Sequence, residues 1–307
     1  MPTAIIDIGS NSIRMFVYDT SGKKLKRIFK QKEYAELIRY IDDGKLNKKG
    51  IKKLTGTLKT FKLICDLISI KEINCFATAS LRKISNSQEV LSTVKRRAGI
   101  DINIISGKEE AELGYDGLNY AFGLEGSGMA MDMGGGSTEL LLYNGENILN
   151  AVSLDVGSLA LFQQYIFGLF PTDEEIETIR EHIKNEVLSQ AVWLSEGAPV
   201  SAHLSGGTAR AIARLHRAII KGTTDIHGYN MSIADIQMVY DTINKRDNYA
   251  ITLLTEIMPE RIHIILPGMF AYLELFKICN ISDITISDYG VREGYMLKCM
   301  RTNTLTI

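Results

Sequence analysis

The feature that most constrains this chain is a turn motif that occurs twice, each time between two apolar runs. The first copy, residues 4–18, reads AIIDIGSNSIRMFVY, and the second, residues 130–143, reads AMDMGGGSTELLLY. Each copy is typical of a strand, a glycine-containing turn and a second strand. Because a repeated pattern indicates a duplicated unit, the sequence predicts two related α/β halves.

Both turns carry residue types that suit a phosphate and a hard cation. Glycines lack a Cβ atom, so backbone N–H groups can approach a phosphate oxygen closely. Asp132 and Glu139 supply the oxygen ligands that Mg²⁺ prefers, with Asp7 in the first copy. The plain alternative is a glycine-rich hairpin with a solvated acidic end. The phosphate-binding candidates of these two turns are Gly9, Ser10, Asn11, Ser12, Gly134, Gly135, Gly136, Ser137 and Thr138.

A third glycine turn lies in the second half, between an apolar run and a helical pattern. Its residues are Ser205, Gly206, Gly207 and Thr208. Backbone N–H groups gather at a helix start and favour anions there, although two glycines before a helix are weak evidence when taken alone. We therefore include this turn among the predicted phosphate-binding segments.

Arg82 and Glu110 are the two candidates for catalysis. Arg82 lies in a stretch with Thr78, Ser80 and Asn86, and its planar guanidinium can hold a phosphate; its alternative role is a surface ion pair of little energetic value. Glu110 follows Ser106 and Glu109, whose spacing is that of a capping box. The helix macrodipole alone accounts for an acid at this position, yet an ionised carboxylate is also the state that a general base requires.

Charge is distributed unevenly along the chain, although the net charge is −1. Residues 1–100 carry 21 Lys+Arg and 9 Asp+Glu, a balance of +12, whereas residues 101–307 carry 14 and 27, a balance of −13. The basic residues of the first half include Lys48, Lys49, Lys52 and Lys53. Either they attract a polyanion, or they form the solvated face of the helix predicted at residues 47–69. Aromatic residues are sparse there, so specific nucleic-acid binding is not expected.

Length and composition limit the remaining classes. The 307 residues, 45% of them hydrophobic, are enough for two domains with their own cores. The longest apolar runs are shorter than 18 residues and Asp7 interrupts the first, so we expect neither a membrane helix nor a signal peptide, and hence a cytoplasmic protein without membrane contact. The four cysteines lack metal-site spacing and the five histidines are scattered, which predicts reduced thiols and no zinc site.

Seven motifs, in order along the chain, resemble those of the exopolyphosphatase and guanosine pentaphosphate phosphohydrolase (Ppx/GppA) family, in its short two-domain form. They are DIGSNSIRMFV, ATASLRKISN, ISGKEEAEL, MDMGGGSTEL, HLSGGTARAIA, ILPGM and SDYGVREGYM. The resemblance implies an α/β fold of the actin-like ATPase superfamily, with two ribonuclease H-like domains and an active-site cleft between them. It places the first domain at residues 1–124 and the second at 125–290, with a last helix at 291–303 packing back on the first.

The resemblance also implies an activity, which is Mg²⁺-dependent hydrolysis of terminal phosphoanhydride bonds. The expected substrates and partners are inorganic polyphosphate and guanosine penta- or tetraphosphate. Glu110 corresponds to the family's catalytic base and Arg82 to its phosphate-binding arginine, and Asp132 and Glu139 correspond to residues that serve Mg²⁺. Many relatives have an arginine where this chain has Glu112.

Two functions of other classes stay open at this stage. One is an ATP-dependent kinase or ATPase with the same superfold, because a fold alone does not determine an activity. The other is a sensor that binds polyphosphate or an alarmone without releasing phosphate. The sequence also leaves open whether the protein forms a homodimer.

Overall fold

The structure is a computed structural model that describes residues 2–22, 24–195 and 200–304. Its contacts divide the chain into two compact units, Met1–Glu109 and Glu110–Ile307.

The first unit is built on a five-stranded sheet with the order β3-β2-β1-β6-β7. Apolar side chains from one face of this sheet pack with those of α1 and α3 to form its core. In chain order its elements are β1 (Pro2–Ile8), β2 (Ile13–Asp19), β3 (Lys26–Glu33), a 3₁₀ helix (Leu37–Tyr40), β4 (Ile41–Asp42), β5 (Lys45–Leu46), α1 (Lys48–Leu67), β6 (Glu72–Ala77), α2 (Ala79–Arg82), α3 (Ser87–Ala98) and β7 (Asn103–Ile104).

The second unit contains a six-stranded sheet with the order β10-β9-β8-β11-β13-β12. Its helices and sheet share one large apolar core. The chain enters through α4 (Gly107–Phe122), followed by β8 (Ser127–Met133), β9 (Thr138–Asn144), β10 (Asn147–Leu154), α5 (Ser158–Tyr165), α6 (Asp173–Gln190), a 3₁₀ helix (Val192–Ser195), β11 (Ser201–Ser205), α7 (Gly206–Ile219), β12 (Tyr229–Ser232), α8 (Ile233–Asn244), α9 (Asn248–Ile257), a 3₁₀ helix (Pro259–Arg261), α10 (Ile262–Ile278), β13 (Asp283–Ile286) and α11 (Val291–Thr304).

The two sheets share one topology. In each, three consecutive antiparallel strands form a meander whose first strand pairs in parallel with a later strand, β1 with β6 and β8 with β11. A further parallel strand follows in each sheet, β7 and β13 respectively. This confirms the expectation of two related ribonuclease H-like α/β halves, and β12 is an addition at the edge of the second sheet.

Along the chain, the division between the two compact units falls between Glu109 and Glu110. The sequence analysis predicts a domain boundary after residue 124. Helix α4 packs with the second sheet, because Tyr115 shares an apolar cluster with Tyr143 of β9. Helix α11 lies against α4, since a Cβ atom at Gly294 would lie 1.9 Å from the carbonyl oxygen of Leu113. The helices that the sequence assigns to the first domain thus lie together, and the contacts group both of them with the second sheet.

The helices and cysteines can be compared with three further expectations from the sequence. Within the described parts of the chain, every helix is too short or too polar to cross a membrane. Cys65, Cys75 and Cys279 are buried free thiols and Cys299 is a partly exposed one, as predicted. The helix predicted at 47–69 is α1, which begins after Asn47, whose side chain accepts a hydrogen bond from the N–H of Gly50.

Candidate active site

The two copies of the turn motif fold in the same way. In the first, the N–H of Gly9 donates to the carbonyl oxygen of Ser12 over 3.1 Å; in the second, the N–H of Gly134 donates to that of Ser137 over 2.9 Å. Each turn therefore closes a hairpin through the same hydrogen bond, β1 to β2 and β8 to β9. The duplication read from the sequence is present at the level of single hydrogen bonds.

The residue opposite each aspartate differs between the copies. Asp7 lies across from Arg14 in the first hairpin, and Asp132 lies across from Glu139 in the second. Directly opposite residues have Cβ atoms about 5 Å apart and project from the same face, and two like charges in these positions destabilise the ladder. The second hairpin therefore holds two neighbouring carboxylates, whereas the first pairs an acid with a base.

Serine hydroxyls hold both carboxylates of the second hairpin. Glu139 is buried, and its Oε1 accepts from the hydroxyls of Ser137 and Ser153 over 2.8 and 2.7 Å. Oδ2 of Asp132 accepts from the hydroxyl of Ser205 over 2.7 Å. Asp132, Glu139 and Ser205 also line the same small cavity. These donors fix the orientation of both carboxylates before any ligand binds.

Asp132 and Glu139 fit a magnesium ion of the kind that proteins bind beside phosphates. Such ions are held by one or two carboxylates and complete their octahedron with water and substrate oxygens. Two facing carboxylates repel each other, and a shared cation would relieve that repulsion. Among the described residues, no three His, Cys, Asp or Glu side chains are close enough to form a metal site by themselves. A site here would depend on two protein ligands.

Gly206 leaves space for the Asp132 carboxylate, and Gly290 leaves space for the Ser205 hydroxyl that binds it. Gly206 has a φ of +89°, and a Cβ atom there would lie 2.3 Å from Oδ1 of Asp132. A Cβ atom at Gly290 would meet the Ser205 hydroxyl at 2.9 Å and Oδ2 of Asp132 at 3.6 Å. The third predicted turn and the segment before α11 therefore converge on the acidic end of the second hairpin.

Four of the hydroxyl groups predicted to bind phosphate already donate hydrogen bonds within the protein. The hydroxyls of Ser137 and Ser205 donate to carboxylates, as described above. The Thr138 hydroxyl donates to the carbonyl oxygen of Val156, and the Thr208 hydroxyl donates to the hydroxyl oxygen of Ser158 over 3.5 Å. Gly134 and Gly135 are partly exposed to solvent, whereas the serine and threonine side chains are buried. Phosphate binding by these turns stays a prediction, and it would use backbone N–H groups.

The loop Gly9–Ser12 contains an unsatisfied buried amide. Asn11 is 5% exposed, and within the described structure neither Oδ1 nor Nδ2 of its side chain has a hydrogen-bond partner. Leaving a buried polar group unpaired costs about 1–3 kcal/mol, so such groups normally bind a ligand or water. This observation favours a polar ligand at the first turn.

Arg82 ends α2, and its guanidinium Nη1 donates to the carbonyl oxygen of Ile105 over 3.2 Å. Nearby, the Ser80 hydroxyl donates to the carbonyl oxygen of Ile8, at the end of β1, over 3.0 Å. Arg82 is partly exposed, on the same unit as the first turn. Asn86 plays a different part, because both ends of its amide bind the backbone of Leu46, at 3.0 and 3.1 Å.

Glu110 lies in the first turn of α4 and is 7% exposed. The preceding residue is part of the helix cap, since the N–H of Glu109 donates to the Ser106 hydroxyl over 3.1 Å, as the sequence predicts. Glu110 is therefore a buried acid that the helix cap does not require.

Sequence reasoning did not select three buried or nearly buried arginines of the second unit. They are Arg210, Arg261 and Arg292. Arg210 Nη1 donates to the Ser287 carbonyl over 2.9 Å, and its Nε lies 3.8 Å from Oδ1 of Asp288. Burial and the nearby charge of Arg292 lower the pKa of Arg210 to about 10, although the negative charges of Asp288 and Asp132 raise it in part. Arg210 is therefore a cation at neutral pH. The sequence does contain a signal for two of these arginines, because Arg210 lies within the motif HLSGGTARAIA and Arg292 within SDYGVREGYM.

A family model described as the Ppx/GppA phosphatase family matches residues 16–303. The chain belongs to this family. Exopolyphosphatase 1 of Mycobacterium tuberculosis is 26% identical over 309 aligned positions, which cover 97% of this chain and 88% of that protein. A putative exopolyphosphatase of Haemophilus influenzae is 23% identical, with 95% of this chain and 89% of that protein covered.

Solved structures of Ppx/GppA family proteins have the same fold. The Aquifex aeolicus family member matches with a TM-score of 0.79 and 26% identity, covering 99% of this chain and 98% of its own. An exopolyphosphatase from Cytophaga hutchinsonii matches with a TM-score of 0.88 and 21% identity, covering 98% of both chains. These matches confirm the predicted family and its two-sheet α/β fold.

Proposed function

We propose that this Ppx/GppA family protein is an exopolyphosphatase, which releases inorganic phosphate from the end of a polyphosphate chain. The observation that carries the proposal is the pair of facing carboxylates, Asp132 and Glu139, beside the glycine turn Gly134–Gly136. Phosphoryl transfer depends on positioning and on neutralising charge, and this arrangement offers both. The two relatives compared above are named as an exopolyphosphatase and a putative exopolyphosphatase, which favours polyphosphate over guanosine pentaphosphate as the substrate.

In the proposed reaction, the oxygen of a water molecule attacks the terminal phosphorus while the bond to the bridging oxygen breaks. Glu110 accepts the proton of the attacking water, and the shortened polyphosphate leaves with the bridging oxygen and its electron pair. Arg82 binds oxygens of the substrate with its planar guanidinium. The N–H groups of Gly9 and Gly134 close their turns. The N–H groups of residues 10–12 and 135–137 bind the negative charge that develops on the phosphoryl oxygens.

Asp132 and Glu139 are the proposed holders of Mg²⁺, with Asp7 as a secondary contributor. The ion, when bound, supplies positive charge and Lewis acidity at the transferred group. The serine hydroxyls of Ser137, Ser153 and Ser205 keep the two carboxylates oriented toward their shared cavity.

The decisive experiment measures phosphate release from tripolyphosphate, long-chain polyphosphate, guanosine pentaphosphate and ATP, each with Mg²⁺ and with a chelator. We expect release from the polyphosphates, and loss of that release with the chelator. Release from guanosine pentaphosphate alone would assign the site to the other activity in the family's name. Tight binding of polyphosphate with no release would instead identify a sensor, and steady hydrolysis of ATP alone would identify an ATPase.

A further inference from the structure

We propose that a groove in the first unit, between β3 and the N-terminal half of α1, is an accessory site for the distal part of a long polyphosphate chain. The proposal rests on the proposed function, because it concerns the same substrate. The groove has a volume of about 500 Å³. Its walls include Lys49, Lys52 and Lys53, together with the polar side chains of Gln31, Thr57 and Thr60. We call it the lysine groove.

The lysine groove carries an excess of positive charge. Lys53 forms an ion pair with Glu33, the one carboxylate of the lining. Three lysines and one glutamate leave a balance of +2, and Lys49 and Lys52 are exposed. A concave surface of one charge attracts a flexible polyanion more strongly than a flat one does.

The lysines are placed where they weaken their own helix. Helix α1 has no acidic residue in its first turn, and Lys48, Lys49, Lys52 and Lys53 all lie within its first two turns. Positive charge near a helix N-terminus opposes the macrodipole, and like charges four residues apart repel each other. A local arrangement that lowers stability without a structural benefit is typical of a functional site.

Gly56 supports the same conclusion independently. It is an exposed glycine in the middle of α1 and in the lining of the groove, and a Cβ atom there would meet nothing within 4 Å. Gly50, in the same helix, is required by packing, since a Cβ atom there would lie 2.6 Å from the Leu46 side chain. A glycine inside a helix makes that helix less stable than an alanine would. Packing does not require a glycine at Gly56. The missing side chain leaves the lysine groove open at this position.

The lysine groove also lies at the same end of the sheet as the first phosphate-binding turn. Glu33, at the end of β3, is opposite Ile13, which directly follows the turn. Three residues further on, the N–H of Glu36 donates to the carbonyl oxygen of Asn11 over 2.9 Å. From Lys49 to Thr60 the groove follows α1 for roughly 16 Å, at 1.5 Å per residue. An extended chain whose end occupies the turn can therefore continue into the groove.

The experiment compares the wild-type protein with a triple variant, K49Q/K52Q/K53Q, on long-chain polyphosphate and on tripolyphosphate at increasing salt. Each phosphate contact to a flexible chain contributes a slope of about −0.7 to the dependence of log affinity on log salt concentration. Lys49 and Lys52, the groove lysines outside the ion pair with Glu33, give two contacts. Raising salt from about 50 mM to about 200 mM should therefore raise the KM of the wild type for the long chain by roughly 7-fold more than that of the variant. We expect kcat, and the KM for tripolyphosphate, to stay within about twofold in both proteins, because the groove lies outside the catalytic machinery.

A matched control removes the same charge elsewhere on the first unit. K71Q/R96Q/R97Q neutralises three exposed cations outside the lysine groove. An unchanged salt slope in the groove variant, or an equal loss in the control, would overturn the proposal. Displacement of bound long-chain polyphosphate by single-stranded oligodeoxythymidylate at equal phosphate concentration would assign the groove to nucleic acid and also overturn it.

A second pair of variants changes the shape of the lysine groove. Gly56→Ala and Gly56→Glu both raise helix propensity, so both are expected to raise the urea midpoint of unfolding. Only Gly56→Glu places bulk and negative charge over the lysines, and we expect it to raise the KM for the long chain at least as much as the triple variant does. Direct binding of long-chain polyphosphate is measured alongside. If the wild type releases no phosphate from any polyphosphate, the proposed function fails, and the binding data still decide whether the groove holds the chain.

Discussion

The Ser205 hydroxyl donates a hydrogen bond of 2.7 Å to Oδ2 of Asp132. It joins two turns that lie 73 residues apart in the sequence, the glycine turn of the second hairpin and the turn before α7. Ser205 is 1% exposed, so water cannot readily replace the hydroxyl. We expect Ser205→Ala to lower the free energy of unfolding by about 1–3 kcal/mol, because it leaves a carboxylate oxygen without its buried donor.

Ser205→Ala is also expected to reduce kcat for polyphosphate, because Asp132 loses its fixed orientation. Chemical denaturation and phosphate release measure the two effects. Ser189→Ala, on the solvent side of α6, is the matched serine control. If Ser205→Ala matches Ser189→Ala in both measurements, then the hydrogen bond does not position Asp132.

Gly206 and Gly228 separate the effect of steric space from that of backbone strain. Both have a positive φ, +89° and +76°, but only a Cβ atom at Gly206 would meet Asp132, at 2.3 Å. An alanine in the left-handed region costs about 1–2 kcal/mol whatever its surroundings. We expect Gly228→Ala to lose about that much stability with unchanged phosphate release, and Gly206→Ala to lose more stability and most of the activity. Equal activities in the two variants would show that the space beside Asp132 is not required.

The facing carboxylates predict that Mg²⁺ stabilises the folded protein. An ion at about 100 times its dissociation constant stabilises by about 2.7 kcal/mol, seen as a rise in the thermal midpoint. We expect Asp132→Asn and Glu139→Gln to lose this rise, because each removes one of two protein ligands. Asp225→Asn, at an exposed position of the same unit, is the control. Thermal unfolding with Mg²⁺ and with a chelator is the measurement, and retention of the full shift in both ligand variants would place the ion elsewhere.

His203 predicts a fall in stability toward acidic pH. Its Nδ1 lies 3.1 Å from the hydroxyl of Tyr143, its ring lies 5.4 Å from that of Phe122, and burial lowers its pKa below the ordinary 6.5. The unfolded state then binds more protons than the folded state between the lowered pKa and 6.5. The free energy of unfolding is therefore highest above about pH 7 and falls as the pH drops through 6.5.

Urea midpoints from about pH 5 to about pH 8 test this dependence. His203→Gln should reduce the acid slope, whereas His182→Gln, a histidine on α6, changes one titratable group elsewhere in the same unit. The same slope in the wild type and in His203→Gln would assign the acid sensitivity to other groups.

The sequence predicted the parts of the site that lie close together along the chain. The two turns, the cap of α4 and the facing carboxylates follow from local spacing, because a four-residue turn places Asp132 opposite Glu139. Contacts between distant segments were not predictable in this way. The approach of Gly290 to Ser205 and the burial of Arg261 against Gly207 depend on how helices pack on the second sheet.

Polar side chains were the least predictable part. Asn86 lies in the polar stretch around Arg82, and its amide holds the backbone of Leu46. The hydroxyls of Ser137 and Thr138 likewise bind neighbouring groups of the protein. Residue type indicates which hydrogen bonds a side chain is able to make, whereas the choice among protein, ligand and water depends on the surrounding fold.

Glu109 and Glu110 provide the sharpest test of the proposed catalytic base. They are adjacent carboxylates in the first turn of α4, but Glu109 takes part in the cap and Glu110 is 7% exposed. A general base contributes about 10²- to 10⁴-fold to a rate, so Glu110→Gln should lower kcat by that factor and leave the fold intact, since the amide has nearly the same shape. Glu109→Gln leaves the buried Glu110 unchanged and should retain kcat within about threefold. Circular dichroism and urea unfolding establish that both variants are folded, and phosphate release from tripolyphosphate gives the rates. A Glu110→Gln protein that hydrolyses tripolyphosphate as fast as Glu109→Gln would exclude Glu110 as the base and require another proton acceptor.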